Sequence, residues 1–381
     1  VEADWAARTV EATGVEEVDD WGAEIAGHGV RVRIVSHLVD GLRHFGAVIQ
    51  PASDPGTPVP VLVYTHGGDR GVSVDVEVLG VAAALGLGAS DYVIVIPSFR
   101  SEALRFGARS WPSEGEPSPW DGDVDDALAL LDVALALVPY ADPDRVGVLG
   151  LSRGGAVGLL MGIRDPRIDA VVSYFAPTDF FGPFVQEVFS ETLAGRPPDL
   201  PGIGFLVDRI IGPLRAGTLT PGEVRLELLR RSSARFADRL PAVQVHHGTA
   251  DAVVPVEEAE HLAAAMDELG RGPPDFEVHL YRGAGHTPVE MRLRGLPCTT
   301  EPAYPGGRIA EHPCPDSAPR TGREPMPRSI AFLFTLPLLA IAACAPDEAP
   351  EAAETAETQA AEPVAPEIDP VHQAFFENLS G

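Results

Sequence analysis

The sequence contains no lysine: all 28 of its basic residues are arginine. Cysteine is almost as scarce, with only Cys298, Cys314 and Cys344, so the first 297 residues have none. That stretch therefore holds no disulfide framework and no cysteine-ligated metal. Basic charge is outnumbered by 56 acids, which leaves a net charge of −28. Such an excess repels phosphates and excludes a nucleic-acid binder. Long apolar runs are missing too. The run from Ile330 to Ala343 is broken by Thr335 and Pro337, and it is shorter than the ~20 apolar residues of a membrane-spanning helix. A polytopic membrane protein is thereby excluded. His28, His37 and His44 lack metal-ligand spacing with any nearby Asp, Glu or Cys, so neither a metal nor another cofactor is expected.

What is present suits a globular enzyme. Apolar residues make up 45% of 381 positions and charged residues 22%, enough for a sizeable hydrophobic core. Arg31–Val35 and Ala47–Ile49 predict an antiparallel entry hairpin. Val59–Tyr64, Tyr92–Ile96 and Arg145–Leu149 are short apolar runs of the kind that form strands covered on both faces. Ile168–Phe175, Ala242–His246 and Phe276–Tyr281 continue the series. Helical spacing falls between them, at Val76–Leu87, Asp123–Val138, Gly154–Ile163 and Val256–Leu269. Residues 98–120 predict a long loop, and residues 179–240 a mainly helical stretch. Strands alternating with helices predict a doubly wound, mostly parallel α/β sheet.

The chemistry concentrates at predicted strand ends. Gly150-Leu151-Ser152-Arg153-Gly154-Gly155 fits G-x-S-x-G, between a strand and a helix. That sharp turn would lift the Ser152 hydroxyl above the carboxyl edge of the sheet, where open α/β sheets bind ligands. A serine needs a base to take its proton, and His286 follows the last strand in Tyr281-Arg-Gly-Ala-Gly-His286. Asp251, in His247-Gly-Thr-Ala-Asp251, supplies the acid between them. The order Ser…Asp…His, with separations of 99 and 35 residues, is that of an α/β-hydrolase triad. The oxyanion would take the backbone N–H of Arg153 and that of Gly67 or Gly68, in His66-Gly67-Gly68 after an early strand. Asp125 and Asp126 are expected to cap or solvate a helix start. His246 and His247 are expected to pack near the site without reacting.

These residues together resemble the prolyl oligopeptidase-like serine peptidases of the α/β-hydrolase superfamily, of the dipeptidyl aminopeptidase/acylaminoacyl peptidase type. The similarity runs from about Val59 to Glu290. It rests on His66-Gly-Gly, the Ser98–Gly107 loop, Asp142-Pro-Asp-Arg145, the G-x-S-x-G-G elbow, H-G-x-x-D ending at Asp251 and G-x-G-H ending at His286. Arg100-Ser101-Glu102 departs from the family's R-G-S pattern. The resemblance implies hydrolysis of peptide, amide or ester bonds through an acyl-enzyme, on a small peptide or acyl-ester substrate. Ser152 would be the nucleophile, His286 the general base and then acid, and Asp251 the orienting carboxylate. About 58 residues precede Val59, too few for the β-propeller that many family peptidases carry. Either that part is missing or the enzyme is a stand-alone esterase. A non-catalytic binding protein on the same scaffold is the third reading. Phe180, Phe181, Phe184, Phe189 and Phe205, within 179–240, are placed to form an apolar cap.

Composition divides the chain further. Residues 1–294 carry 43 acids and 24 arginines, a net −19, and form the expected catalytic domain. Residues 295–325 are rich in Pro, Gly, Arg and Thr and read as an unstructured linker or read-through. Residues 326–344 resemble a bacterial lipoprotein signal: Met326-Pro-Arg328, an apolar stretch and Ile341-Ala-Ala-Cys344. The segment reads either as the start of a neighbouring lipoprotein gene or as a C-terminal membrane tether, the one route to a membrane. A bacterial cytoplasmic or periplasmic location follows for the hydrolase part. Residues 345–381 form an acidic Ala/Glu/Pro-rich tail too polar to fold.

Overall fold

A computed structural model describes residues 1–8, 10–25, 28–80 and 91–293. The part of the predicted helix beyond Gly80, the 295–325 linker, the lipoprotein-like segment, the acidic tail and all three cysteines lie outside the described residues.

The described residues form twelve strands: β1 (Thr13–Ile25), β2 (His28–Val39), β3 (Leu42–Pro51), β4 (Val59–Thr65), β5 (Val72–Ser73), β6 (Val93–Pro97), β7 (Ala103–Phe106), β8 (Arg109–Pro112), β9 (Ala141–Leu151), β10 (Ile168–Tyr174), β11 (Ala242–Gly248) and β12 (Phe276–Tyr281). Nine of them form one sheet in the order β1-β2-β3-β6-β4-β9-β10-β11-β12. From β6 to β12 every neighbouring pair is parallel. The β1–β2, β2–β3 and β3–β6 pairs are antiparallel. This is the α/β-hydrolase fold, as the alternation of elements predicts.

The apolar runs explain the central strands. Val61, Val63, Val93, Val95, Val146, Val148 and Val171 point into one core layer, and Leu62, Tyr64, Ile94, Ile96, Leu149 and Val172 into the other. Burying each such aliphatic side chain contributes about 1.5–3 kcal/mol. Helices Gly122–Leu137 and Arg153–Arg164 cover the first layer. The entry hairpin is longer than Arg31–Val35 and Ala47–Ile49 suggest. It pairs Val30 with Pro51 through to Val39 with Leu42. Its turn is Asp40-Gly41, both at positive φ (53° and 78°), the backbone of a two-residue turn that matches strand twist.

Two regions differ from expectation. Residues 98–120 are not one loop: β7 and β8 make a hairpin that joins β5 in a second, three-stranded sheet. The polar N-terminal stretch also holds an unexpected strand, β1, at the sheet edge. Register shifts near Glu16 and Asp19 break its alternation. Residues 179–240 are helical as predicted, with Pro183–Leu193, Pro221–Leu229 and shorter turns between. The helix at Pro221 starts on a reciprocal cap between Thr220 and Glu223, which satisfies two free helix-end donors.

Asp125 and Asp126 correct the sequence reading. Neither is solvated; both are buried in the helix Gly122–Leu137. Asp126 takes a forked pair of bonds from Arg100 (3.1 and 2.6 Å), and Asp125 pairs with Arg8 (3.0 Å) and Arg164. Arginines distant in sequence converge there and supply the countercharge, which a helix-start pattern does not reveal.

Candidate active site

Strand order places the site. β4 has β6 on one side and β9 on the other: the chain steps from β4 to β6 and then crosses β4 to reach β9, a reversal of strand order that opens a crevice at the carboxyl ends. Ser152 follows β9, His66-Gly67-Gly68 follows β4, Asp251 lies beyond β11 and His286 beyond β12.

Ser152 sits at φ 53°, ψ −119°, a region that non-glycine residues avoid at about 1–3 kcal/mol. Its neighbours make that turn possible. A Cβ at Gly150 would lie 2.2 Å from Gly154 O, and one at Gly154 only 2.0 Å from Thr65 O. The Thr65 hydroxyl donates to Gly154 O (2.8 Å), and Ser152 N–H donates to Tyr174 O (2.8 Å). The Ser152 turn is thus pinned to β4 and β10.

The three sequence-predicted triad residues are brought together. Ser152 Oγ lies 2.9 Å from His286 Nε2, and His286 Nδ1 lies 2.7 Å from Asp251 Oδ2. The carboxylate accepts from Nδ1–H, which leaves the Nε2 lone pair facing the serine. The other Asp251 oxygen accepts from the N–H groups of Val253 and Val254 (2.9 and 3.0 Å). Burial raises the Asp251 pKa, but the His286 bond and these two N–H groups outweigh it and hold the carboxyl below its usual value. The Asp251 and His286 loops close on each other at Gly248, where a Cβ would lie 2.2 Å from Ala284 O. Phe175 lies against the His286 ring, with centroids 4.2 Å apart.

The neighbouring histidines take supporting places. His246 is stacked on Tyr174 and lies 2.7 Å from the Tyr281 hydroxyl. Burial, with His279 beside it, lowers its pKa well below the ordinary histidine value. His247 Nε2 donates to Val254 O (2.9 Å) and lies 3.6 Å from Asp251 Oδ2. It therefore braces the Asp251 loop.

Of the two glycines expected to supply an oxyanion donor, Gly67 rather than Gly68 packs on Ser152. A Cβ at Gly67 would meet Leu151 O at 3.1 Å and Ser152 Cβ at 3.2 Å, whereas one at Gly68 would meet nothing within 4 Å. Arg153, next to Ser152, opens the following helix.

An apolar cavity adjoins Ser152. Trp120, Phe180, Phe184, Val185, Val188 and Leu206 are among its walls. Phe180 and Phe184 come from the segment read as a cap, whereas Phe181, Phe189 and Phe205 do not line the cavity. Trp120, at φ 64°, was not singled out in the sequence; it meets Phe180 edge-on at 4.9 Å. Arg153 is the one charged wall residue, and its guanidinium is taken by Asp123 and Glu102. Among the described residues no group of three or more His, Cys, Asp or Glu could hold a metal ion, and no helix is long and apolar enough to cross a membrane.

Fold and site geometry together define an α/β-hydrolase-fold protein with a Ser–His–Asp hydrogen-bond chain. Solved structures agree on the fold. Acetyl xylan esterase 1 from a Thermoanaerobacterium species is similar at TM-score 0.51 and 19% identity, over 77% of this chain and 93% of that one. An acetyl xylan esterase from a Paenibacillus species is similar at TM-score 0.51 and 18% identity, over 77% and 88%. Acylaminoacyl peptidase from Pyrococcus horikoshii gives TM-score 0.47 and 16% identity over 74% of this chain, which spans about half of that protein (48%). No protein-family model matches the chain, and no curated protein matches it.

Proposed function

We propose that this protein is a serine hydrolase that cleaves ester, amide or peptide bonds through an acyl-enzyme on Ser152. The observation that carries the reading is the unbroken chain Ser152 Oγ–His286–Asp251, with both contacts under 3 Å. His286 Nε2 takes the Ser152 proton as Oγ attacks the substrate carbonyl. The carbonyl oxygen gains charge and is met by the N–H of Arg153 and that of Gly67. The imidazolium, stabilised by ionised Asp251, then protonates the leaving alcohol or amine. Water, activated by the same histidine, hydrolyses the acyl-enzyme.

The cavity favours a neutral, apolar acyl group, since its walls are almost all apolar and its single cation is already paired. Within this class, the H-G-G, G-x-S-x-G-G and G-x-G-H motifs support a prolyl oligopeptidase-like enzyme. A stand-alone carboxylesterase uses the same constellation. The deciding experiment is labelling of the full chain by a fluorophosphonate probe. Wild type is expected to react and Ser152→Ala to be inert. A folded wild type that takes no label overturns the reading. Parallel assays on p-nitrophenyl esters and on peptide anilides then separate esterase from peptidase.

A further inference from the structure

The side chain of Arg153 enters none of the steps above, yet it is among the most thoroughly tied groups in the molecule. Its Nε and Nη2 donate to the two oxygens of Asp123, both at 2.8 Å. Nη1 donates to Glu102 Oε1 and to Gly68 O, the latter at 2.9 Å. Glu102 Oε2 in turn accepts from Gly71 N–H (2.9 Å). The guanidinium lies over the Phe99 ring, 5.0 Å from its centroid, and Phe99 stacks on His66 at 4.4 Å. Arg153, Asp123 and Glu102 are all buried.

Three loops therefore meet at one cation: 66–71 after β4, 99–102 after β6, and 120–123 at the start of a helix. The first of these carries the glycines of the oxyanion site. Gly68 and Gly71 both adopt positive φ (71° and 77°), so the loop holds two residues with no conformational preference of their own. It is fixed from outside, at Gly68 O directly and at Gly71 N through Glu102. Burying three charges costs several kcal/mol per ion before pairing. An apolar plug would fill the space but could not hold a carbonyl and an amide at set positions.

We propose that the Arg153 guanidinium is a positioning group: it sets the separation of the two oxyanion donors. This rests on the serine-hydrolase reading. One donor is the backbone N–H of Arg153 itself, and the other belongs to the loop that its side chain holds. The spacing is thus fixed from a single residue, through a fork that lysine lacks. Through Asp123, which also accepts from Trp120 N–H (2.9 Å), the same cation fixes one wall of the acyl cavity.

The test compares Arg153→Lys and Glu102→Gln with wild type in the full chain. Four quantities are read: kcat and KM on p-nitrophenyl acetate, the affinity of a boronic acid that forms a tetrahedral adduct on Ser152, and the melting temperature. Arg153→Lys is expected to lower kcat by ~10–100-fold, somewhat less than outright removal of an oxyanion donor. KM should stay within about twofold and boronate affinity should fall in step with kcat. Glu102→Gln should show the same split with a smaller loss, and it decides the matter alone if Arg153→Lys does not fold. A purely structural role would lower the melting temperature and leave kcat and boronate affinity unchanged in the folded fraction, and that result overturns the proposal. A loss confined to KM overturns it as well. An inert wild type overturns the serine-hydrolase reading together with this inference; an active wild type with unaltered variants overturns this inference alone.

Discussion

The carbonyl of Thr65 stands where a side chain on Gly154 would have to go: a Cβ there would lie 2.0 Å from Thr65 O. The two residues also share a bond from the Thr65 hydroxyl to Gly154 O (2.8 Å). Strand β4 is therefore pressed against the first turn of the helix behind Ser152, with no room between them. Backbone is on both sides, so neither can move away cheaply. Gly154→Ala should destabilise the protein by about 3 kcal/mol or more, the upper end of overpacking effects. Urea unfolding of the variant checks this, and a loss under 1 kcal/mol would contradict the packing.

Asp251→Asn separates orientation from folding. The amide oxygen can still accept from the N–H groups of Val253 and Val254, so the loop should persist. The ionised partner of His286 Nδ1 is lost, and with it the correct tautomer. A fall in kcat of ~10⁴-fold is expected, the size seen when a triad aspartate becomes asparagine. Melting temperature should hold within a few degrees. Ester hydrolysis kinetics and calorimetry on one preparation give both readings.

Val185 lines the apolar cavity beside Ser152, where the proposed mechanism puts the acyl group, so a larger side chain at this position should shorten the acyl group accepted. Val185→Phe is expected to lower kcat/KM for p-nitrophenyl hexanoate by ~10–100-fold, the discrimination typical of a few methylenes in an apolar pocket. Acetate should change by less than about threefold. Equal losses on both esters would mean that the acyl chain lies elsewhere.

Acid should unfold the protein through its buried histidines. Burial lowers the pKa of His37 to about 4, of His44 to about 3 with help from Arg100 and His37, and of His66 to about 4 with help from Arg153. Asp126 lies 3.6 Å from His44, and Glu102 lies 3.6 Å from His66; neither lifts its histidine to the ordinary value. In the unfolded chain all three take up protons near pH 6.5, whereas the folded protein does not. These three groups make stability fall as pH drops from about 6.5 towards 4, by up to ~1.4 kcal/mol per pH unit for each histidine; Asp126, whose pKa burial raises to about 7, opposes them over that range with a single proton, so the net slope keeps the sign of the three histidines. His44→Phe should flatten part of that slope. Denaturation midpoints measured from pH 7.5 to 4.5 show the slope directly, and a flat profile would refute it.

The triad was legible because each member is punctuated by backbone demands. Gly150 and Gly154 are required by contacts at 2.2 and 2.0 Å, and such requirements appear in sequence as glycines beside the serine. Asp251 and His286 could be found because each follows a buried strand that reads as an apolar run. Asp123, Glu102 and Arg153 left no such trace. Their partners stand 30 and 51 positions apart, and a buried ion pair between distant residues has no local pattern. Strand β1 escaped for another reason: Glu16, Glu17, Asp19 and Asp20 fill it with acids and its register slips twice, so apolar alternation is lost. Asp40-Gly41, in contrast, is a readable turn signal that the shorter hairpin expectation did not use.

The positive φ of Ser152 sets activity against stability at a single position. A glycine there would relax the turn by about 1 kcal/mol or more and remove the hydroxyl on which the proposed chemistry depends. Selection for heat resistance alone would reward that exchange. A library screened by melting temperature, with no assay for turnover, would drift towards a sturdier and inert protein, and position 152 would be among the first places where it did so.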